Sequence, residues 1–165
     1  EAFYEHPGNY NHPFFLYEEN IHVPLMIYFD GVEAQHIARV TSHVDILPTV
    51  LDLLGKEKLR SPLHVGQSML RGGAQSLAHL QAYWQEEYSG IVDAQFKYIR
   101  KETGAHELFD LLQDAGEQQN LAQSRPELVT RYQSLTARAF AQKKRYYQKH
   151  AGYELTRFNP ASQDK

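Results

Sequence analysis

Hydrophobic and polar positions divide the chain into three stretches. From Glu1 to Pro13 the pattern is irregular, and Pro7, Gly8, Asn9 and Asn11 favour turns over helix or strand, so a loop is expected. Phe14 to Asn20 (FFLYEEN) has room for one or two helical turns. His22 to Phe29 (HVPLMIYF) is a continuous apolar run closed by Asp30-Gly31. Its length, its closing turn and its lack of polar alternation predict a strand covered on both faces, with Pro24 tolerated near the start. Such a strand belongs to an α/β architecture and not to a sandwich.

Thr41 to Gly55 (TSHVDILPTVLDLLG) has helical spacing, with Ile46, Val50, Leu53 and Leu54 on one face. Ser42 or Asp45 can cap its start, and Pro48 fits best in a first turn, which places the helix at about Asp45 to Leu54. Gly55 sits where a left-handed C-terminal cap belongs. Lys56 to Ala82, rich in Gly, Ser, Pro and Gln, reads as a long connection that lines a site or crosses a surface.

The third stretch begins near Tyr83. Ile91 to Arg100 (IVDAQFKYIR) has strand composition, Thr103-Gly104 makes a turn, and Glu107 to Leu111 is a second short strand, so a hairpin is expected. Ser124 and Glu127 then spell a capping box. Behind it Leu128, Tyr132, Leu135, Ala139 and Phe140 recur at helical spacing, predicting a long amphipathic helix to about Lys149. The expected units are residues 1–82, the late portion of an α/β domain; 83–150, an antiparallel sheet with a terminal helix; and a tail, 151–165.

Composition narrows the chemistry. The 165 residues, 42% hydrophobic, suit one globular domain. A net charge of −3, from 17 basic and 20 acidic residues, offers no basic field to a nucleic acid, so no nucleic-acid partner is expected. With no cysteine, disulfides and thiolate-bound zinc are excluded, and His, Asp and Glu remain as possible metal ligands. The apolar run from Val23 to Phe29 falls far short of the ~20 residues that a spanning helix needs.

Four collinear blocks carry a family resemblance. EAFYEHPGNYNHPFFLYEENIHVPLMIYF resembles the segment that follows the Asp-His-Gly metal motif in sulfatase-like enzymes of the alkaline phosphatase superfamily. SHVDILPTVLDLLG is similar to the helix after the next strand in that family. FKYIR, ELFDLLQDAGEQQNLA and the final helix are similar to its C-terminal subdomain. EAF and LYEEN resemble most the branch of lipoteichoic acid synthases and phosphoethanolamine transferases, although arylsulfatases share the layout.

The resemblance implies an α/β fold: the C-terminal fragment of an alkaline-phosphatase-like domain, with a small antiparallel sheet packed against a long helix. It implies a parent that is a metal-dependent sulfatase or phospho-group transferase, acting on sulfate or phosphate esters. A divalent cation (Zn, Mn or Ca) would activate a threonine, serine or formylglycine nucleophile and neutralise charge on the transferring group. Glu1 to His12 then reads as the second half of a metal-site loop. Nucleophile and main metal ligands would precede Glu1, so the chain alone is expected to be inactive and to bind no divalent cation tightly.

By resemblance, His12, ahead of Tyr17 as in the family's HG…LYEE pattern, would face the substrate's anionic group or a second metal. His6, where the family often has His-Gly, is the next substrate-binding candidate. Pro13 departs from the usual glycine, and the loop from His6 to Tyr17 is one residue longer than usual. Glu18 and Glu19 read as structural, His22, His36 and His43 as ordinary histidines, and Asp45 as a cap. The run Lys143, Lys144, Arg145 reads as a solvated helix face, with contact to anionic lipid as the alternative. The parent is expected at the extracytoplasmic face of a membrane, and the fragment, with an unpaired apolar strand, is expected to self-associate. A non-catalytic binding or assembly module is the other reading.

Overall fold

The computed structural model describes residues 2–60, 66–71, 77–83 and 87–150. Its centre is a four-stranded antiparallel sheet in the order β1 (Ala78–Ala82), β2 (Tyr88–Val92), β3 (Phe96–Lys101) and β4 (His106–Asp110). The expected hairpin is β3–β4, closed through Gly104 at φ +86°. The stretch predicted as one strand from Ile91 to Arg100 is instead two. Asp93 breaks it, because its carboxylate accepts the backbone N–H groups of Gln95 and Phe96 and builds a turn that side-chain periodicity does not register. β1 falls inside the stretch read as connection.

Both faces of this sheet are covered, which is uncommon for an antiparallel sheet. One face carries Ile91, Tyr98 and Leu108 against Tyr132 of the terminal helix, α3 (Pro126–His150). The other carries Tyr88, Ile99 and Phe109 against Leu16 and Tyr17 from the N-terminal stretch. Gly90 is required between them, since an added Cβ would lie 2.4 Å from the Tyr98 carbonyl oxygen of the neighbouring strand.

Helix α3 starts later than its capping box predicts. Ser124 donates its hydroxyl back to the Leu121 carbonyl, Arg125 becomes the residue whose carbonyl accepts the first helical N–H groups, and Pro126 takes the first helical position. The N-terminal stretch holds a one-turn helix, α1 (Glu18–Ile21). Its successor, α2 (Ile46–Leu53), is entered through a 3₁₀ turn at His43–Asp45 with a complete Ser42/Asp45 capping box. It ends as predicted: Gly55 has φ +62°, with Lys56 N–H donating to the Leu51 carbonyl and Gly55 N–H to that of Asp52.

The predicted strand over Val23 to Phe29 does not form in this chain. Residues 22–29 enter no ladder, and Met26 and Tyr28 are 94% and 89% exposed. A strand exists only through pairing, and among the described residues nothing pairs with this run. Nor does any helix among the described residues have the length and apolar character to cross a membrane.

Candidate functional site

The loop from Ala2 to Pro13 is built by short-range turns. Asn9 N–H donates to the His6 carbonyl at 3.0 Å, Gly8 sits at φ +81°, and Tyr4 N–H returns to the Asn9 carbonyl at 2.9 Å. This geometry turns His6 inward and leaves His12 exposed.

His6 is buried, and its ring stacks on Tyr17 with centroids 3.9 Å apart and planes 9° apart. Its Nδ1 lies 2.7 Å from the Glu19 carboxylate and its Nε2 lies 3.2 Å from the Glu117 carbonyl oxygen. Both partners are acceptors, so the doubly protonated imidazolium satisfies both at once. Burial pulls its pKa down, yet the bonds to Glu19 and to the Glu117 carbonyl outweigh that, and the net shift is upward. Glu19 moves oppositely: burial raises its pKa, while His6 and Asn9 lower it further, for a net fall.

Beneath this pair lies a buried ion cluster that the sequence reading did not single out. Lys97 Nζ, fully buried in β3, sits 2.6 Å from Glu18 Oε1 and 2.8 Å from Glu117 Oε1. Its contact with Glu117 is a charge contact, not a well-aimed hydrogen bond. Glu117 stands at φ +53°, and its other oxygen accepts the Glu18 N–H at 2.6 Å. Burial raises the Glu117 pKa against the opposing pull of Lys97. The signal was present in FKYIR: a lysine inside a strand apolar on both sides needs a carboxylate partner when covered. The carboxylates of Glu18 and Glu19, read as structural, are engaged with Lys97 and His6.

His12 lies at the edge of an open cleft of about 410 Å³ between this loop and the edge strand β1. Phe15, Asn20, Gln81 and Tyr83 also line it. The structure therefore separates the two predicted substrate contacts: His12 borders the cleft and His6 is packed behind it. Among the described residues no group of three or more His, Asp or Glu side chains is placed to hold a metal ion. The carboxylates nearest the loop are already engaged by Lys97 and His6, so these residues do not fit a metal centre. The other histidines are dispersed, His22 pairing with Glu18 at 2.8 Å.

Of the connection expected to line a site or cross a surface, Gln81 lines the cleft, while residues 67–71 dock on α2 and the turn before it. Gln67 N–H donates to Asp45 Oδ1, Met69 N–H to Thr49 Oγ1, and Arg71 Nε to Asp52 Oδ2 at 2.9 Å. The pairing with Arg71 holds the Asp52 pKa well below the usual carboxylate range.

A mixed α/β chain with a four-stranded antiparallel sheet, a C-terminal helix and this N-terminal loop is sulfatase-like, of the alkaline-phosphatase-like fold. Residues 1–56 match the Sulfatase family model. Arylsulfatase K of Bos taurus is 33% identical over 136 residues, which cover 70% of this chain and 25% of that protein. Arylsulfatase K of Mus musculus is 33% identical over 135 residues, covering 69% and 24%. This chain thus spans about a quarter of the length of the curated relatives it matches. A solved 2-O GAG sulfatase superposes with a TM-score of 0.52 at 20% identity, over 63% of this chain and 25% of its own, and so shares the fold.

Proposed function

We propose that this chain is the C-terminal part of a sulfate ester hydrolase, in which the Ala2–Pro13 loop presents His12 to the anionic group of the substrate. One observation carries the reading: the region that matches the Sulfatase family model includes the loop that leaves His12 at the edge of a cleft. An imidazole there donates to sulfate oxygens and strengthens that bond as charge develops on the ester. His6 supports the loop and does not touch substrate. The nucleophile and the divalent metal lie outside these residues, so the chain alone is inactive.

Sulfate esters are favoured over phosphate esters because the curated relatives carry the name arylsulfatase K. No observation among the described residues favours the lipoteichoic acid synthase or phosphoethanolamine transferase branch, or a membrane anchor. The exposed apolar run at 22–29 supports self-association of the isolated chain, which sedimentation at tens of micromolar tests: a clean monomer refutes it.

Reading the residues encoded before Glu1 tests the main proposal. An Asp-His-Gly motif with a Cys/Ser-x-Pro/Ser-x-Arg signature upstream supports it, and a Met start without either overturns it. In the longer protein, His12→Ala is expected to lower 4-nitrophenyl sulfate hydrolysis about tenfold or more.

A further inference from the structure

The His12 loop has little backbone bonding of its own at the point where it matters. Its backbone–backbone bonds, Tyr4 to Asn9 and Asn9 to His6, both lie before His12, whose own N–H donates to the neighbouring Asn11 Oδ1 at 2.9 Å. Beyond Asn9 the loop is held by the side chain of Asn20, in α1. Asn20 Nδ2 donates to the Asn11 carbonyl at 3.1 Å, to Asn9 Oδ1 at 3.1 Å and, more weakly, to the His12 carbonyl at 3.4 Å. Its Oδ1 accepts from Asn9 Nδ2 at 2.7 Å. Asn9 itself is fully buried and donates to Glu19, so both ends of the contact are fixed.

Helix α1 has only 4 residues, too few to hold itself. Its place is set from outside. Glu18 is fastened to the sheet through Lys97 and through its N–H bond to Glu117, and Glu19 is fastened to His6. A line of direct contacts therefore runs from Lys97 near the start of β3 through Glu18 and α1 to Asn20, and from Asn20 to the backbone of Asn11 and His12.

We propose that Asn20 is the positioning residue for His12: a latch that fixes the direction in which the imidazole meets an oxyanion, anchored to the sheet by the Lys97–Glu18–Glu117 cluster. This rests on the reading of His12 as a sulfate contact. Asn20 also lines the cleft, but its Nδ2 is engaged by Asn9 and by the Asn11 and His12 carbonyls, so its effect passes through loop geometry. Removing Nδ2 loosens Asn11 and His12 and leaves the sheet untouched.

The test uses the 165-residue chain, isotopically labelled, with inorganic sulfate as the probe at constant pH and ionic strength. Backbone amide dynamics of residues 9–14 and the His12 ring resonances are followed in the wild type, Asn20→Ala and Asn20→Asp. Both variants lack the donor. Both are expected to free the Asn11 and His12 amides, to keep the β-sheet amides in place, and to weaken the saturable sulfate shift of His12 by about fivefold.

Loop amides as ordered in Asn20→Ala as in the wild type overturn the latch whatever sulfate does. Freeing of the loop in Asn20→Asp alone also overturns it, because repulsion from Glu19 then explains the effect. A freed loop with unchanged sulfate affinity, or loss of the sheet amides in both variants, refutes the positioning role. If the wild type shows no saturable sulfate shift, the reading of His12 fails, and the loop amides still decide whether Asn20 holds the backbone.

Discussion

Two apolar regions of this chain meet opposite fates. Between the sheet and the terminal helix, Ile91, Tyr98, Leu108 and Tyr132 are sealed from solvent, each covered by an element of the same chain. In residues 22–29 the apolar density is as high, yet Leu25, Met26 and Tyr28 stay exposed, and α2 with the residue that follows it also leaves Leu47 and Leu54 in solvent. Hydrophobic pattern specifies that a surface is to be covered; it does not say whether the cover comes from the same residues. Here the relatives matched are about four times longer than the matched region.

The contrast is broken most sharply at the buried ion cluster. Lys97→Ala leaves two carboxylates facing each other without their cation, and the expected loss is about 4 kcal/mol in urea unfolding. A Lys97→Met, Glu117→Gln double variant, which restores an unbranched stem and removes one of the two carboxylates, should recover part of it; no recovery would mean that neither the unpaired carboxylate nor the lost stem explains the loss. Leu108→Ala, in the sealed face against Tyr132, should cost about 3 kcal/mol, from lost burial and the cavity left behind.

A smaller, pH-dependent effect distinguishes the loop from the sheet. The His6 pKa is raised above its ordinary 6.5, so the stability it contributes is fully present below that value and is lost as pH rises through the raised pKa. The Glu19 pKa is lowered from 4.5, so its contribution is present above that value and lost as pH falls through the lowered one. Stability measured from pH 6 to 8 should therefore fall in the wild type and fall less steeply in His6→Asn. An equal slope in both would remove His6 from the account. The smallest effect is expected at the exposed run: Leu25→Ala should shift stability by no more than about 0.5 kcal/mol, and a loss above about 2 kcal/mol would show that a second molecule buries it.

Much of the local structure was legible. A cap at Ser42 or Asp45, the Gly55 cap, the Thr103-Gly104 turn and the amphipathic spacing of Leu128, Tyr132 and Leu135 are all signals within a few residues of one another, and each was realised, the first as a box that uses both residues. What escaped depends on partners distant in sequence. Asp93 divides a strand by accepting two N–H groups, and β1 gains strand character only by pairing with β2. At the candidate site, His12 and His6 stand close in the sequence with no sign of which faces inward. Glu117 and Tyr17 settle that for His6; Glu117 carries no local mark of its role, and Lys97, inside an apolar strand, shows that it needs a carboxylate partner but not which one.

The bond between His6 and the Glu117 carbonyl spans 111 positions. At a translation rate of about 5–20 residues per second, His6 is added to the chain roughly 5–20 s before Glu117. The loop that carries His12 is therefore synthesised early and ordered late. Until Lys97 and Glu117 arrive, Glu18 and Glu19 have no seat on the sheet, and during that interval the apolar run that follows them is a target for chaperones and proteases.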